Sequence, residues 1–288
     1  MNKSKRKKVL AGVISAVAMA ALVIGLLFSA NTIASEEKTS LYIDGSTTVE
    51  PLAKAFGAYF HEQTGVNVTI SGSGSGNGIQ SIIAKRCDIA MSSRFMRVSE
   101  YKSAIENGVT PVAHIVALDG IAVIVNPRNA VAGLTMQQLK EIYLGKYTNW
   151  NQLGGADMPI VFANRESSSG TFECFNELVM TGDSIHRSAQ QVASSNAMRE
   201  VVASTPGGIG YIGLGYVNRT VKVLPINGVA ATPATVASGR YPIARPLYFF
   251  TNGYPRLGSP EYTFLTLYLT KEGQKLVEEA KYIPLTRY

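Results

Sequence analysis

The chain has 288 residues, of which 46% are hydrophobic and 16% are charged, and this composition excludes a largely disordered protein. Two cysteines and three scattered histidines exclude a disulfide-framework mini-protein and show no spacing typical of a zinc site. Five of the 27 basic residues lie within 1–34, which leaves 22 basic against 20 acidic residues, so the net charge of +7 does not indicate a nucleic-acid-binding protein.

Residues 1–34 predict an export segment. A basic cluster is followed by 22 uncharged residues at 9–30, which is the pattern of a secretory signal peptide. The run is also long enough to be a single membrane anchor. We favour cleavage because small residues at 29–30 and 34–35 permit it, and no cysteine is present there for lipid attachment. Either interpretation predicts a periplasmic or extracytoplasmic location for the folded part, because the basic flank stays inside.

From residue 41 onward, short apolar runs alternate with stretches of helical spacing. Strands are predicted at 41–43, 66–70 and 89–91, with helices at 49–63 and 79–85. A glycine-serine stretch separates the second strand from its helix. Alternating strands and helices predict an α/β fold with a largely parallel sheet that is covered on both faces.

The second half of the chain continues this pattern. Further strands are predicted at 121–127, 159–164, 208–212 and 247–253. Further helices are predicted at 135–145, 171–180, 195–204 and 259–280. The segment 230–246 is expected to be irregular with one short helix.

Three loops rich in small polar residues each follow a predicted strand and precede a predicted helix, at 44–51, 71–78 and 165–171. Helix N-termini present free N–H groups and a partial positive charge, so such loops hold anions. Any one of them alone is better explained as an ordinary helix cap or a flexible linker. Three together, one beginning with Arg165, predict an anion site at the carboxyl ends of the strands.

Motifs of common enzyme classes are missing from the sequence. The glycines at 72–78 do not complete the dinucleotide-binding pattern, and neither a P-loop nor a G-x-S-x-G nucleophile motif occurs. The isolated residues His61, His114 and His186 are interpreted as surface or packing residues.

At these loops the sequence resembles the PstS-type periplasmic phosphate-binding proteins, the substrate receptors of phosphate ABC transporters. The order and intervals of the matching segments also agree, and the resemblance covers about 40–288. The matching segments are GSTTVEP at 45–51, GSGSGNGIQSI at 72–82, DIAMSSR at 88–94, DGIAVIVNP at 119–127, RESSSGT at 165–171 and GGIGYI at 207–212.

The resemblance implies a two-lobed periplasmic-binding-protein fold (a type II Venus flytrap) with two chain crossings. Lobe one is then expected from 40–124 plus 246–288, and lobe two from 125–245. Phosphate is expected in the cleft between the lobes, with neither metal nor cofactor. The positions that match the family's ligands are Thr47, Thr48, Ser75, Arg165, Ser169, Gly170 and Thr171.

Two departures from the family pattern bear on this site. Many family members have an aspartate at the position of Ser93, where it accepts the proton of hydrogen phosphate; here Ser93 and the following Arg94 are the candidates for phosphate binding. Many members also have an aspartate two residues after the arginine. Here that position is Ser167, and Glu166 is a candidate substitute. The first departure leaves selectivity against sulfate open.

The sequence therefore predicts a monomeric solute-binding protein that captures inorganic phosphate and delivers it to an ABC permease without any covalent step. One alternative is another tetrahedral oxyanion, such as sulfate or molybdate. An exported phosphate-ester hydrolase and an extracytoplasmic sensor or adhesive protein are the others. Cys87 and Cys174 are expected to stay unbridged, because a disulfide would tie the two lobes together against hinge opening.

Overall fold

The structure is a computed structural model that describes residues 38–286, so the predicted export segment at 1–34 lies outside the described residues. The strands are β1 (Ser40–Gly45), β2 (Asn67–Ser71), β3 (Ile89–Ser92), β4 (Pro111–Val125), β5 (Val161–Arg165), β6 (Gln190–Val192), β7 (Gly208–Gly213), β8 (Lys222–Val223) and β9 (Ala244–Asn252). The α-helices are α1 (Glu50–Thr64), α2 (Ser75–Ile83), α3 (Val98–Glu106), α4 (Met136–Tyr143), α5 (Gly170–Phe175), α6 (Ser195–Ser204), α7 (Pro233–Ala237), α8 (Pro260–Leu265) and α9 (Lys271–Glu279). Within these residues, every helix is too short or too polar to cross a lipid bilayer.

The strands are hydrogen-bonded in the order β2-β1-β3-β9-β4-β7-β5-β6, with β8 also pairing with β4. Pairing is parallel among β1, β2 and β3, and again among β5, β6 and β7. The pairs that involve β9 or β4 are antiparallel. The α/β class is confirmed, but the expectation of a largely parallel sheet is wrong for its centre, where two long strands run against their neighbours.

The hydrophobic residues form two main cores, and β4 and β9 pass from one to the other. The first core surrounds β1 and α1 and includes Val116 and Leu247. The second core surrounds β5 and β7 and includes Ile121 and Ile243. Because both strands change core within a few residues, they connect the two halves of the molecule.

Aromatic side chains fill both cores. In the first core, the ring of Phe56 meets those of Phe249 and Phe264 edge to face, with centroids 6.4 and 6.3 Å apart. In the second, Phe175 stacks on Tyr211 at 4.0 Å. Each half therefore has its own packed interior.

Several predicted boundaries differ from the structure. Helix α2 begins at Ser75 rather than at 79, because Gly74 adopts a φ of +105° that lets the chain enter the helix there. The predicted helix at 259–280 is broken into α8, a 3-10 turn and α9, since Thr270 accepts a hydrogen bond from the Gly273 amide and caps a new helix. The sequence analysis missed β6, β8 and the first ten residues of β4.

Candidate anion-binding site

The three predicted loops lie at the carboxyl ends of parallel strands. Thr47 and Thr48 follow β1, Ser75 follows β2, and the segment containing Ser169 follows β5. The ends of β3 and β6 lead to Ser93 and to helix α6. Since parallel strands end at one edge of a sheet, their loops converge.

The convergence brings hydroxyl groups from distant parts of the chain into contact. The shortest contact joins the Oγ1 atoms of Thr48 and Thr171 at 2.8 Å. Ser75 Oγ lies 3.3 Å from Ser93 Oγ. These four side chains are essentially buried. The predicted hydroxyl ligands therefore form one buried group, with members from both halves of the molecule.

Arg165 is the cation at this group, and it is 2% exposed. Its Nη2 donates to Thr47 Oγ1 at 3.3 Å and its Nη1 donates to Ser195 Oγ at 3.4 Å. Carbonyl oxygens of Val192 and Ala193 accept from its Nε and Nη2 at 3.2 and 3.0 Å. In the part of the chain that the structure describes, no carboxylate lies within ion-pair distance of this guanidinium.

Burial lowers the pKa of Arg165 from its usual value, because a desolvated cation without a counter-charge is disfavoured. Arginine nevertheless stays protonated in proteins. The group therefore keeps a positive charge in a place from which water is largely excluded, and the interaction of that charge with an anion is correspondingly strong.

The second loop is held in place by Asp44 of β1. Its carboxylate accepts hydrogen bonds from the hydroxyls of Ser73 and Ser81, both at 2.6 Å. The next residue, Gly45, has a φ of +136°, and a Cβ there would collide with the carbonyl of Met91. Residues that carry no ligand thus fix the backbone from which Thr47 and Ser75 project.

In the third loop, Ser169 and Gly170 contribute in different ways. The Ser169 hydroxyl accepts from the Phe172 amide at 3.2 Å and caps α5. Gly170 lies so close to Ser75 and Ser93 that a Cβ would collide with the Ser75 hydroxyl. Only glycine leaves that space at the start of α5 open.

Arg94 is the one predicted site residue whose guanidinium is directed elsewhere. Its Nη1 and Nη2 donate to Glu100 at 2.8 and 2.7 Å, and its Nε lies 2.8 Å from Glu173 Oε1. Burial opposes the effect, but the bond to Glu100 and the charge of Glu173 raise the pKa of Arg94. Arg94 therefore links α3 to α5 beside the hydroxyl group.

The candidate substitute carboxylate Glu166 is not among the ion-pair partners of Arg165. Its backbone carbonyl accepts from Ser169, and its neighbour Ser167 is exposed. The carbonyls of Val192, the last residue of β6, and of the following Ala193 orient the guanidinium instead; β6 is the parallel neighbour of β5.

Three residues of the site were missed from the sequence. Ser195 lies 3.3 Å from Thr47 Oγ1, at the start of a helix that was predicted without a role. Arg245 donates to the hydroxyls of Thr48 and Thr171 at 3.3 and 3.0 Å, and it pairs with Asp119 at 3.0 Å. Arg245 lies in a segment expected to be irregular, whereas Asp119 stands in the DGIAVIVNP segment, which offered a signal that was not used.

The arrangement is rich in hydrogen-bond donors. Two guanidinium groups, several hydroxyls and the starts of four helices (α1, α2, α5 and α6) meet, and Asp119 is the carboxylate that pairs with one of the guanidiniums. No group of three or more metal-ligating side chains exists within residues 38–286. Such an arrangement can bind a small oxyanion but contains no metal-ligand set.

The histidines and Cys87 lie apart from this chemistry, whereas the Cys174 thiol lies beside it, donating to the Ser93 carbonyl at 3.4 Å and interacting with Arg245. His114 bonds Thr251 at 3.0 Å, far along β4 from the hydroxyl group. Cys87 and Cys174 are both free, and they pack in different hydrophobic clusters. Burial raises the pKa of the Cys87 thiol to about 12, so it is not a reactive thiolate at neutral pH.

Comparison with known proteins gives a consistent result. The PBP superfamily domain matches residues 31–267 of this chain. The phosphate-binding protein PstS of Bacillus subtilis is 34% identical over 256 residues, which cover 87% of this chain and 83% of that protein. The phosphate-binding protein PstS of Borreliella burgdorferi is 32% identical over 253 residues, 84% of this chain and 88% of that protein.

Solved structures agree with these sequence relatives. One is a protein of Clostridium perfringens, assigned to a phosphate ABC transporter as its substrate-binding protein and crystallised with bound phosphate. It matches with a TM-score of 0.80 and 33% identity, over 86% of this chain and 100% of that chain.

Proposed function

Since this chain belongs to the PstS family of phosphate-binding proteins within the PBP superfamily, we propose that its buried hydroxyl and guanidinium group binds inorganic phosphate for delivery to the permease of an ABC transporter. The ligands are the residues predicted from the sequence, namely Thr47, Thr48, Ser75, Ser93, Arg165, Ser169, Gly170 and Thr171. Arg94 supports the site from its edge.

The observation that carries the proposal is the buried Arg165 without a carboxylate partner. Isolated buried charges are costly, and proteins normally pair them. The N–H groups of Arg165 that face Thr47 and Ser195 make long contacts of 3.3 and 3.4 Å, which a phosphate oxygen can replace with shorter charged ones. A doubly charged anion fits this surplus of positive charge.

We also infer that the molecule closes on its ligand as two lobes, 40–124 plus 246–288 and 125–245. The two hydrophobic cores and the strands β4 and β9 that connect them support this division. Contacts between Thr48 and Thr171, and from the Gly76 amide to the Ser168 carbonyl at 2.9 Å, join residues of the two proposed lobes. An anion held by both sides stabilises the closed form.

In the proposed function, the protein is a receptor and not an enzyme. Its relatives are binding proteins, and a phosphate-ester hydrolase requires an activated nucleophile or a metal group. Export by the segment 1–34, either cleaved or kept as an anchor, places the folded part where it meets extracellular phosphate. The receptor acts as a monomer that passes its ligand to the membrane component.

Equilibrium titration of the purified protein with phosphate, sulfate and molybdate, alongside a chromogenic phosphate ester, tests this proposal. We expect saturable binding of one phosphate per chain, weaker binding of the other anions, and no release of the chromophore. Sulfate binding as strong as phosphate binding would make the protein a general oxyanion receptor. Ester hydrolysis that disappears in the Arg165→Ala variant would contradict the assignment as a receptor.

A further inference from the structure

We infer that Arg245 is a second anion-binding guanidinium of the site, presented by the strand that connects the two cores and oriented by Asp119. This inference rests on the proposed phosphate-binding function and adds a ligand that the resemblance to the family did not supply. Through Arg245, the bound anion would contact β9, one of the two strands that connect the halves of the molecule.

The first support is the position of the guanidinium. Arg245 Nη2 donates at 3.0 Å to Thr171 and at 3.3 Å to Thr48, the two hydroxyls that meet across the site. Arg245 is 4% exposed. A buried cation bonded to two ligand hydroxyls is within reach of any anion that those hydroxyls hold.

The second support is an unused donor. The Nη1 atom of Arg245 is buried and has no hydrogen-bond partner among the described residues. Buried donors are normally satisfied, because leaving one unpaired costs the full desolvation of that group. Arg165 has no carboxylate partner, and Arg245 has Asp119 on its Nε and Nη2 but nothing on Nη1, so both guanidiniums have capacity for a further acceptor.

Asp119 holds Arg245 in this orientation. The two residues face each other in the antiparallel register of β4 and β9, and Asp119 Oδ2 accepts from Nε and Nη2 at 3.2 and 3.0 Å. Asp119 Oδ1 accepts from the Leu214 amide at 2.9 Å. Among the charged side chains that contact the ligand hydroxyls directly, one carboxylate faces two guanidiniums, and this local excess of positive charge favours a dianion over a monoanion.

The Asp119–Arg245 pair also links the anion site to the strands that connect the two cores. Residues 119 and 245 lie where β4 and β9 pass between the cores, within a few residues of Ala117, Ile121 and Ile243. An anion bonded to Arg245 is therefore attached to the connecting strands as well as to the two facing loops. Ligand binding and the geometry of the connection are coupled through one side chain.

The test compares Arg245→Met with the exposed control Arg219→Met by phosphate titration at pH values below and above the second ionisation of phosphate. We expect Arg245→Met to bind phosphate about 10- to 100-fold more weakly, the effect of one charged hydrogen bond. The loss should be larger where the dianion predominates. Arg245→Lys, which keeps the charge but not the fork, should show an intermediate loss. The control should bind like the wild type.

The Arg245→Met change leaves Asp119 buried and unpaired, so this variant can fail to fold. The double variant Arg245→Met/Asp119→Asn removes both charges and should show the same loss of affinity with a melting temperature that thermal unfolding can record. Wild-type affinity in either folded variant, or a loss equal at both pH values, would overturn the inference. Arg165→Ala would still lose phosphate binding in that case, so the proposed function would stand. If the wild-type protein binds no phosphate, both fail.

Discussion

Replacing Arg165 by alanine tests whether the buried cation is the main source of phosphate affinity. In the structure, Val192 and Ala193 occupy two of its hydrogen bonds at 3.2 and 3.0 Å and serve to orient the guanidinium. The contacts with Thr47 and Ser195 are longer, at 3.3 and 3.4 Å, and these N–H groups are the ones that a phosphate oxygen can take. Two charged hydrogen bonds are worth about 3–6 kcal/mol.

The measured loss should be smaller than that sum, because water and the neighbouring hydroxyls solvate the anion in the space that alanine leaves. We expect Arg165→Ala to weaken phosphate binding by at least about 2 kcal/mol, or about 30-fold. Arg165→Lys should recover part of this, because an ammonium keeps the charge but has no planar fork. Isothermal titration calorimetry measures both, with the exposed Arg219→Ala as the matched control.

Thermal unfolding without ligand separates affinity from stability. The alanine variant leaves the buried Val192 carbonyl without its donor, at about 1–3 kcal/mol, and frees the carbonyl of the exposed Ala193 to bond water, but it also removes a buried and unpaired cation. These effects oppose each other, so the melting temperature should change modestly while the stabilisation by added phosphate disappears. If Arg165→Ala binds phosphate as the wild type does, the anion site is elsewhere and the reasoning from its buried charge is refuted.

Three further predictions follow from neighbouring residues. Ser93→Asp should increase the preference for phosphate over sulfate in competition titrations at neutral pH, because a carboxylate accepts the proton of hydrogen phosphate and repels the proton-free anion; unchanged selectivity with phosphate affinity retained would assign that choice to another acceptor. Glu173→Gln should weaken phosphate binding by about 2- to 10-fold, since Glu173 pairs with two arginines from the other side of the site at 2.8 Å, whereas the exposed Glu177→Gln should not change it. Non-reducing mass mapping of the folded monomer should recover Cys87 and Cys174 as separate peptides, and a bridged peptide would contradict the free thiols.

The local features of the site were predictable because each depends on residues close in sequence. A strand followed by small polar residues and a helical spacing is visible at 44–51, 71–78 and 165–171, and a strand–loop–helix turn occurs at all three, although the second loop ends at Gly74, because α2 begins at Ser75. Helix α6 was predicted with its observed bounds, Ser195–Ser204. Helix capping and hydrophobic periodicity depend on residues within one or two turns of each other, so the elements that they produce can be predicted from a single sequence.

Contacts between distant segments were not predictable in this way. Arg94 directly follows the predicted ligand Ser93 in the sequence, yet its guanidinium pairs with Glu100 and Glu173 at the edge of the site. Nothing near Arg245 in sequence indicates that it faces Asp119. The ion pairs of Arg94 and of Arg245 both depend on which helices and strands pack together. Hydrophobic periodicity along the sequence does not specify which elements become neighbours.

The sequence alone determined the strand–loop–helix order, the hydroxyl-bearing loops and Arg165 as their cation. The tertiary structure decided which charges are compensated. The register between β4 and β9 pairs Asp119 with Arg245, while the packing of β5 beside β6 gives Arg165 carbonyls instead of a carboxylate. Burial strengthens interactions between charges and makes an unpaired charge costly, so an arginine's role depends on partners that only the folded chain brings near it.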